Sequence, residues 1–236
     1  MITVQIEKIQ PLQHNLSKME IQKQIKELLD TLPDHVSLVA VSKTKPNQDL
    51  EAAYQAGQRI FGENKIQEMT QKWEILPKDI EWHMIGHVQT NKVKYMAPYV
   101  TLIHGVDRYK LLKEINKQAA KNNRIIDCLL QVHIAEEETK FGFNRTELEE
   151  VVLDLKANPL PNVRVTGLMG MATFTENKDQ IRTEFKNLKN TSDWLQKHIQ
   201  EAKICSTGMS GDYELAIEEG STMIRLGSKI FGSRNY

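Results

Sequence analysis

The sequence contains very little cysteine: Cys128 and Cys205 are the only two in 236 residues, far apart and each within an apolar run. A disulfide framework or a zinc site would need more ligands at closer spacing, so the sequence excludes both. Buried, unreactive thiols are the simpler interpretation, and they are typical of a protein from a reducing compartment.

Net charge and long apolar runs are also missing. Lysine plus arginine and aspartate plus glutamate both number 31, so no net field would attract nucleic acid or an anionic membrane. No uncharged run approaches the ~18 residues of a membrane-spanning helix, and residues 1–8 lack the basic-then-apolar pattern of a signal peptide. We therefore expect a cytoplasmic protein that binds neither nucleic acid nor membranes.

The chain is instead organised as a regular alternation of short apolar runs and helical stretches, after a helix predicted over residues 3–30. The predicted strands cover residues 38–42, 59–62, 82–86, 100–105, 126–134, 163–169, 203–206 and 222–226. The predicted helices cover residues 48–56, 64–74, 90–97, 108–121, 145–156, 178–200 and 211–219, with a short turn at 228–231.

Eight strands that alternate with helices predict a parallel sheet covered on both faces, and at this length a closed α/β barrel of the (β/α)8 TIM type. A doubly wound open sheet is the rival, but no Gly-x-Gly-x-x-Gly follows the first strand. No linker or repeat interrupts the pattern. We expect one domain over residues 1–236, with residues 1–34 as an N-terminal helical extension.

The first strand ends in a candidate reactive lysine. Val39, Val41 and Lys43 share one parity, so on a strand they point to the same face. If that face is the barrel interior, the Lys43 amine is costly unless its pKa falls or it is bound covalently, and both outcomes suit a Schiff-base lysine. A surface lysine just past the strand is the alternative. Lys45, beside Pro46, is a poorer candidate, and Lys140 is interpreted as a solvated loop lysine.

Two turns near the C-terminus could bind an anion. Residues 206–211 mix hydroxyls and glycines ahead of a helix, and Gly227-Ser228 precede the short final one. Backbone N–H groups and a positive helix end would face an anion there, although each turn alone could be merely tight. Arg225 lies between them, and a buried guanidinium needs an acceptor. A buried carboxylate is the purely structural candidate for that acceptor, and Glu63 or Asp107 could serve.

These motifs occur together in one known family. They are V-S-K-T-K-P at 41–46, F-G-E-N at 61–64, W-H-M-I-G-H-V-Q-T-N-K at 82–92, G-L-M-G-M at 167–171, S-T-G-M-S-G-D at 206–212 and R-L-G-S at 225–228. In this combination and order, the sequence from residue 35 onward resembles the pyridoxal-phosphate-binding homeostasis proteins (YggS/PROSC type). The resemblance implies a barrel similar to the N-terminal domain of alanine racemase, with pyridoxal 5'-phosphate (PLP) as its cofactor.

The resemblance also implies roles for individual residues. Lys43 would hold PLP as an internal aldimine and Arg225 would meet the pyridine nitrogen. The phosphate would be held by Ser206, Gly227 and Ser228, and the ring pocket would be lined by Asn64, His83, Met171 and Met209. The family often has methionine at position 207, where this chain has Thr207, and threonine at position 228. Neither difference removes a hydroxyl or a glycine from the phosphate turns.

The same site constrains the chemistry. An arginine at the pyridine nitrogen keeps its proton, so the ring stays neutral and is a weak electron sink. Two-base racemisation also needs a group on the other ring face, which alanine racemase takes from a second domain, whereas this sequence reaches residue 236 soon after the eighth strand. We therefore expect a protein of intracellular PLP homeostasis with little or no turnover. A PLP-dependent amino-acid racemase is the alternative, and a barrel aldolase or sugar-phosphate enzyme that uses Lys43 directly on its substrate is a third.

Partners and metals follow from the same reasoning. PLP-dependent apo-enzymes or amino and keto acids are the candidate partners beyond PLP itself, and we expect a monomer. The strand-end histidines lack the compact spacing of a metal site, so we interpret them as hydrogen-bonded pocket or core residues: His83, His87, His104 and His133.

Overall fold

The computed structural model describes residues 3–137 and 141–232, with side chains from residue 17 onward. Its strands are β1 Ser37–Val41, β2 Ile60–Glu63, β3 Glu81–Met84, β4 Leu102–Val106, β5 Ile126–Gln131, β6 Val163–Met169, β7 Ile204–Ser206 and β8 Met223–Leu226. They pair in parallel in chain order, and β8 pairs back onto β1, which closes the barrel. The predicted (β/α)8 fold is confirmed.

Helices follow the strands around the outside of the barrel. They are α1 Thr3–Thr31, α2 Asn47–Gln55, α3 Ile66–Ile75, α4 Val93–Met96, α5 Tyr109–Lys121, α6 Arg145–Ala157, α7 Lys178–His198, α8 Tyr213–Glu218 and α9 Ser228–Phe231, with a 3-10 turn at Thr90–Lys92. The helix predicted over 90–97 is therefore wrong in detail, because the 3-10 turn occupies its first half.

The fifth strand is also shorter than the sequence indicates. The apolar run extends to residue 134, but β5 ends at Gln131. Beyond it, Val132 forms an isolated bridge with Phe143, while its N–H still donates to the Met169 carbonyl of β6 at 2.8 Å. The chain therefore pairs with its own following loop as well as with β6, and it does not continue as a regular strand. Apolar content predicts burial at these positions, and it does not distinguish between the two pairing partners.

Local sequence signals explain where the helices form. Asn144 caps α6: its side chain accepts the Glu147 N–H at 3.0 Å, and the Glu147 carboxylate accepts the Asn144 N–H at 2.8 Å. In α7, the buried apolar residues recur at helical spacing and face the barrel: Ile181, Phe185, Leu188 and Leu195.

The apolar core of the described residues has two main layers and a third, small cluster made of Ala172, Ile181, Phe185 and Ala216. The larger layer lies between the strands and the helices and contains both buried thiols, Cys128 and Cys205. Burial raises the pKa of both thiols, that of Cys205 to about 12. The smaller layer fills the barrel interior with Val39, Leu102, Leu129, Met169 and Met223. Because Val39 belongs to it, the inward parity predicted for the first strand is correct.

Within residues 3–137 and 141–232, no helix is both long enough and apolar enough to cross a membrane.

Candidate functional site

The barrel brings the candidate residues to one mouth, because all eight parallel strands end on the same side. Val41 at the end of β1 lies beside Gly62 of β2, and Ala40 lies beside Leu226 of β8. The chain segments that follow these three adjacent strands therefore start as neighbours. They carry Lys43, Asn64 and the Gly227-Ser228 turn.

Lys43 lies in a tight turn just beyond the end of β1, with a half-buried side chain. The Lys45 N–H donates to the Ser42 carbonyl at 3.0 Å and closes the turn. Thr44 has a φ of +65°, which is strained for a β-branched residue. Such a conformation persists only where neighbouring groups impose it.

The neighbouring lysines are placed differently. The Lys45 ammonium donates to the carbonyl oxygen of Phe231, at the end of α9, at 2.7 Å. The Lys45 amine is therefore already bonded to the end of a helix, which agrees with its being a poorer Schiff-base candidate than Lys43. Lys140 lies outside the described residues.

A largely buried cluster of charged side chains contacts the turn that carries Lys43. Lys72 of α3 is 5% exposed, and its ammonium lies 2.7 Å from Glu63 Oε1, 2.7 Å from Glu68 Oε1 and 2.8 Å from the Ser42 carbonyl oxygen. Burial raises the pKa of Glu63, against the opposing effects of the Lys72 charge and the Ser42 hydroxyl. We refer to Glu63, Glu68 and Lys72 as the clamp.

Arg225 is buried in the barrel interior, and its partners are not those expected from the sequence. Its guanidinium donates to the Ser206 hydroxyl at 2.7 Å and to the Gly170 carbonyl at 3.1 Å. Among the described residues, neither of the two candidate carboxylates pairs with Arg225. Glu63 pairs with Lys72, and Asp107 pairs with His87 and Arg108. Burial lowers the pKa of Arg225 to about 10, which still leaves it protonated at neutral pH.

A chain of buried hydrogen bonds continues from Ser206 across the barrel. Its Oγ lies 3.3 Å from His104 Nδ1, and His104 Nε2 lies 3.1 Å from His83 Nδ1. Burial lowers the pKa of His83 to about 3, and burial together with the charges of His83 and Arg225 lowers that of His104. Both rings are therefore neutral at physiological pH.

The donors in this chain can be ordered because Arg225 only donates. Ser206 accepts from the guanidinium and can give its own proton to His104 Nδ1. His104 then carries its proton on Nε2 and gives it to His83. This ordering satisfies every contact with neutral rings, and it fixes the Ser206 hydroxyl between Arg225 and His104.

The two predicted anion turns meet through a hydroxyl that the sequence did not single out. Ser210 Oγ accepts the Gly227 N–H at 3.2 Å and the Lys229 N–H at 3.3 Å. Ser228 is the first residue of α9 and is exposed. The structure thus joins Gly227 and Ser228 to Ser210, whereas Ser206 lies deeper and contacts Arg225.

The remaining predicted pocket residues have distinct environments. Asn64 follows β2, and its Oδ1 is buried without a hydrogen-bond partner among the described residues. Met171 packs against the apolar layer of the barrel interior. Met209 is 39% exposed, and its N–H donates to the Asp212 carboxylate at 2.5 Å.

His104 was interpreted from the sequence as a hydrogen-bonded pocket or core residue, and its buried contacts with Ser206 and His83 agree. Two other residues near the site were not predicted individually, although each has a signal in the sequence. Ser210 is the second hydroxyl of the 206–211 turn. Lys72 follows Glu68 by four residues, the spacing of a helical ion pair.

The other strand-end histidines make local contacts. His87 Nδ1 lies 2.9 Å from Asp107, and His133 Nε2 lies 2.9 Å from the Glu137 carbonyl oxygen. Among residues 3–137 and 141–232, no group of three or more histidine, cysteine, aspartate or glutamate side chains could hold a metal ion.

Comparison with known proteins supports the motif-based resemblance. The family model of the alanine racemase N-terminal domain matches residues 16–235. The pyridoxal phosphate homeostasis protein of Aquifex aeolicus is 44% identical over 204 residues, which are 84% of this chain and 87% of that protein. The chain belongs to the family of pyridoxal phosphate homeostasis proteins.

Solved structures agree with the barrel described above. PipY of Synechococcus elongatus PCC7942, solved with PLP bound, is 32% identical with a TM-score of 0.81, and the match covers 90% of this chain and 100% of PipY. Alanine racemase from E. faecalis is 16% identical with a TM-score of 0.72, and the match covers 92% of this chain and 58% of the racemase. At that identity, the second likeness concerns the fold alone.

Proposed function

We propose that this protein binds PLP covalently through Lys43 and serves in PLP homeostasis with little or no turnover. The observation that carries the proposal is the placement of Lys43 at the barrel mouth, between Asn64 and the Gly227-Ser228 turn. An amine and an anion-binding turn at one mouth suit a cofactor that has an aldehyde and a phosphate. PLP-bound PipY and the homeostasis relatives support the same assignment.

The polar groups at the site fit this cofactor. Asn64 Oδ1 is buried without a hydrogen-bond partner among the described residues, so it can bond to a ligand. The Ser210 hydroxyl accepts two backbone N–H groups, which a phosphate oxygen could also accept. Arg225 has five N–H donors, of which two are engaged with Ser206 and Gly170.

Each predicted residue then has a role in the proposal. Lys43 would hold the aldehyde carbon of PLP through its amine nitrogen. Arg225 would donate to the pyridine nitrogen, while Gly227 and Ser228 would hold the phosphate. Ser206 was also expected at the phosphate, and its bond to Arg225 supports a second role, that of orienting the guanidinium. The ring contacts are Asn64, His83, Met171 and Met209.

Arg225 is the basis for expecting little turnover. Bound PLP supplies an electron-withdrawing ring, which is most effective when its nitrogen is protonated. With a pKa of about 10, the guanidinium keeps its proton at neutral pH and donates a hydrogen bond only. Arg225 would therefore give the ring nitrogen a hydrogen bond and no proton, and the site would offer carbanion chemistry little assistance. The racemase alternative is therefore not favoured.

The test is the visible absorbance of the purified protein incubated with PLP. The expected result is a band that is lost in Lys43→Ala and retained in Lys65→Ala, a change at an exposed lysine at the start of α3. Borohydride treatment followed by peptide mass spectrometry should place the reduced cofactor on Lys43. An unchanged band in Lys43→Ala would contradict the assignment.

The proposal extends to the oligomeric state, the cellular compartment and the partners of the protein. A single barrel domain over residues 1–236 would act as a monomer in the cytoplasm, where the buried Cys128 and Cys205 thiols stay reduced. PLP-dependent apo-enzymes, or amino and keto acids, would receive or displace the cofactor. Transfer of PLP from the loaded protein to an apo-enzyme, followed as recovered activity of that enzyme, would test the first of these partners.

A further inference from the structure

The clamp contacts the peptide backbone on both sides of Lys43. On one side, the Lys72 ammonium donates to the Ser42 carbonyl, which belongs to the peptide bond that joins Ser42 to Lys43. On the other side, the Thr44 N–H donates to Glu68 Oε1 at 2.6 Å. The main chain around the proposed reactive lysine is therefore held by side chains of α3.

The hydrogen bonds of the clamp centre on the Lys72 ammonium. An ammonium has three N–H donors, and Lys72 directs one to each of Glu63, Glu68 and the Ser42 carbonyl. Glu63, which is fully buried, also accepts the Ser42 hydroxyl at 2.7 Å. Loss of the Lys72 charge would leave a buried carboxylate without its cation and a main-chain carbonyl without its donor.

The small stability that a buried ion pair provides indicates that Lys72 has a positioning role. Burying an ion pair adds little net stability compared with apolar packing, so stability alone does not explain a lysine at this place. Thr44 has a positive φ, and its N–H is bound by Glu68. The clamp thus imposes a strained turn at the residue that follows Lys43, and such strain is characteristic of functional sites.

We propose that Lys72 is a positioning residue, which acts with Glu63 and Glu68 to hold the 42–44 turn so that the Lys43 amine meets the aldehyde of PLP. This inference rests on the proposed function. Lys72 itself does not touch the cofactor. Loss of Lys72 should therefore slow the covalent step. It should not weaken recognition of the phosphate and the ring, because residues on other strands make those contacts.

The experiment separates covalent capture from non-covalent binding. One probe is PLP, whose capture rate is followed by the visible band. The other is pyridoxine 5'-phosphate, in which an alcohol replaces the aldehyde, so that it can only bind non-covalently. The variants are Lys72→Met and the double variant Lys72→Met/Glu63→Gln, which leaves no uncompensated carboxylate at position 63 and guards against misfolding of the single variant. Lys65→Met is the control for loss of a lysine near α3.

We expect PLP capture to slow about 10- to 100-fold in the Lys72 variants, the range expected for a displaced reactive group. Binding of pyridoxine 5'-phosphate should stay within about twofold of wild type, because the phosphate and ring contacts are intact. Lys65→Met should match wild type in both assays.

Two results would overturn the inference. Capture at the wild-type rate by the double variant would show that the clamp does not position Lys43. Equal weakening of both ligands would mean that Lys72 acts on general stability. Failure of the proposed function is distinguishable, since the wild-type protein would then capture no PLP on Lys43.

Discussion

His83 and His104 face each other inside the barrel, with Nδ1 of the first 3.1 Å from Nε2 of the second. Neither ring is accessible to solvent to any useful extent, because the side chains are 3% and 0% exposed. The pair links Ser206 and Arg225 to the opposite side of the barrel interior. Protonation of either histidine would therefore disturb the hydrogen bonds that hold Ser206 and Arg225.

The first prediction is a loss of stability in mild acid. Burial lowers the pKa of His83 from 6.5 to about 3 and also lowers that of His104. Below pH 6.5, the unfolded chain takes up protons that the folded protein cannot. The stabilisation from these neutral rings is therefore present above pH 6.5 and is lost as the pH falls towards 3. The expected slope is about 1.4 kcal/mol per pH unit for each histidine.

Urea unfolding at pH 7, 6 and 5 measures this slope. The double variant His83→Asn/His104→Asn should show a flatter pH dependence than wild type. His198→Gln, which replaces an exposed histidine at the end of α7, should keep the wild-type slope. An equal slope in the double variant and in wild type would refute the assignment to this pair.

The second prediction concerns the stability cost of Arg225. Its pKa of about 10, lowered by burial, means that burying the cation costs a few kcal/mol. Its two hydrogen bonds to neutral acceptors offset much of that cost. We expect Arg225→Met to leave the unfolding free energy of the cofactor-free protein unchanged or higher, while binding of pyridoxine 5'-phosphate weakens.

Urea unfolding and equilibrium titration of the same protein sample measure the two effects. Loss of more than about 2 kcal/mol of stability in Arg225→Met would mean that the guanidinium holds the barrel together, because a cost of that size matches the loss of structural hydrogen bonds to a charged group. Ser206→Ala removes one acceptor and keeps the charge. It should therefore lower stability, and this opposite sign makes it a useful comparison.

The barrel could be predicted from the sequence, because each apolar run and each helical stretch is a local pattern. Residues that follow strands were correctly expected at one mouth, since parallel strands end together. The pairing across the barrel interior could not be predicted in the same way. Glu63 and Asp107 were candidate partners of Arg225, but the guanidinium meets the hydroxyl of Ser206 and a main-chain carbonyl. Sequence spacing does not determine which inward side chains of different strands share a layer.

The clamp illustrates the same limit. The Glu68–Lys72 spacing indicates a helical pair, and such pairs are usually solvated. Only the docking of α3 against the ends of β1 and β2 brings Glu63 and the Ser42 carbonyl to the same ammonium. The importance of Lys72 therefore depends on tertiary contacts that no local pattern contains.

The last prediction tests the close approach of β6 and β7. Gly167 pairs with Ile204 and has a φ of +157°. A Cβ at this position would lie 1.9 Å from the Ile204 carbonyl oxygen, which is backbone of a paired strand and cannot move aside. We expect Gly167→Ala to lose more than about 3 kcal/mol of stability or to fail to fold, through steric overlap and an unfavourable φ.

Gly211→Ala is the matched control, because no heavy atom lies within 4 Å of its added Cβ, and it should change stability by less than about 0.5 kcal/mol. Thermal and urea unfolding of the two variants measure the difference, and a Gly167→Ala protein as stable as Gly211→Ala would show that β6 and β7 can separate without cost.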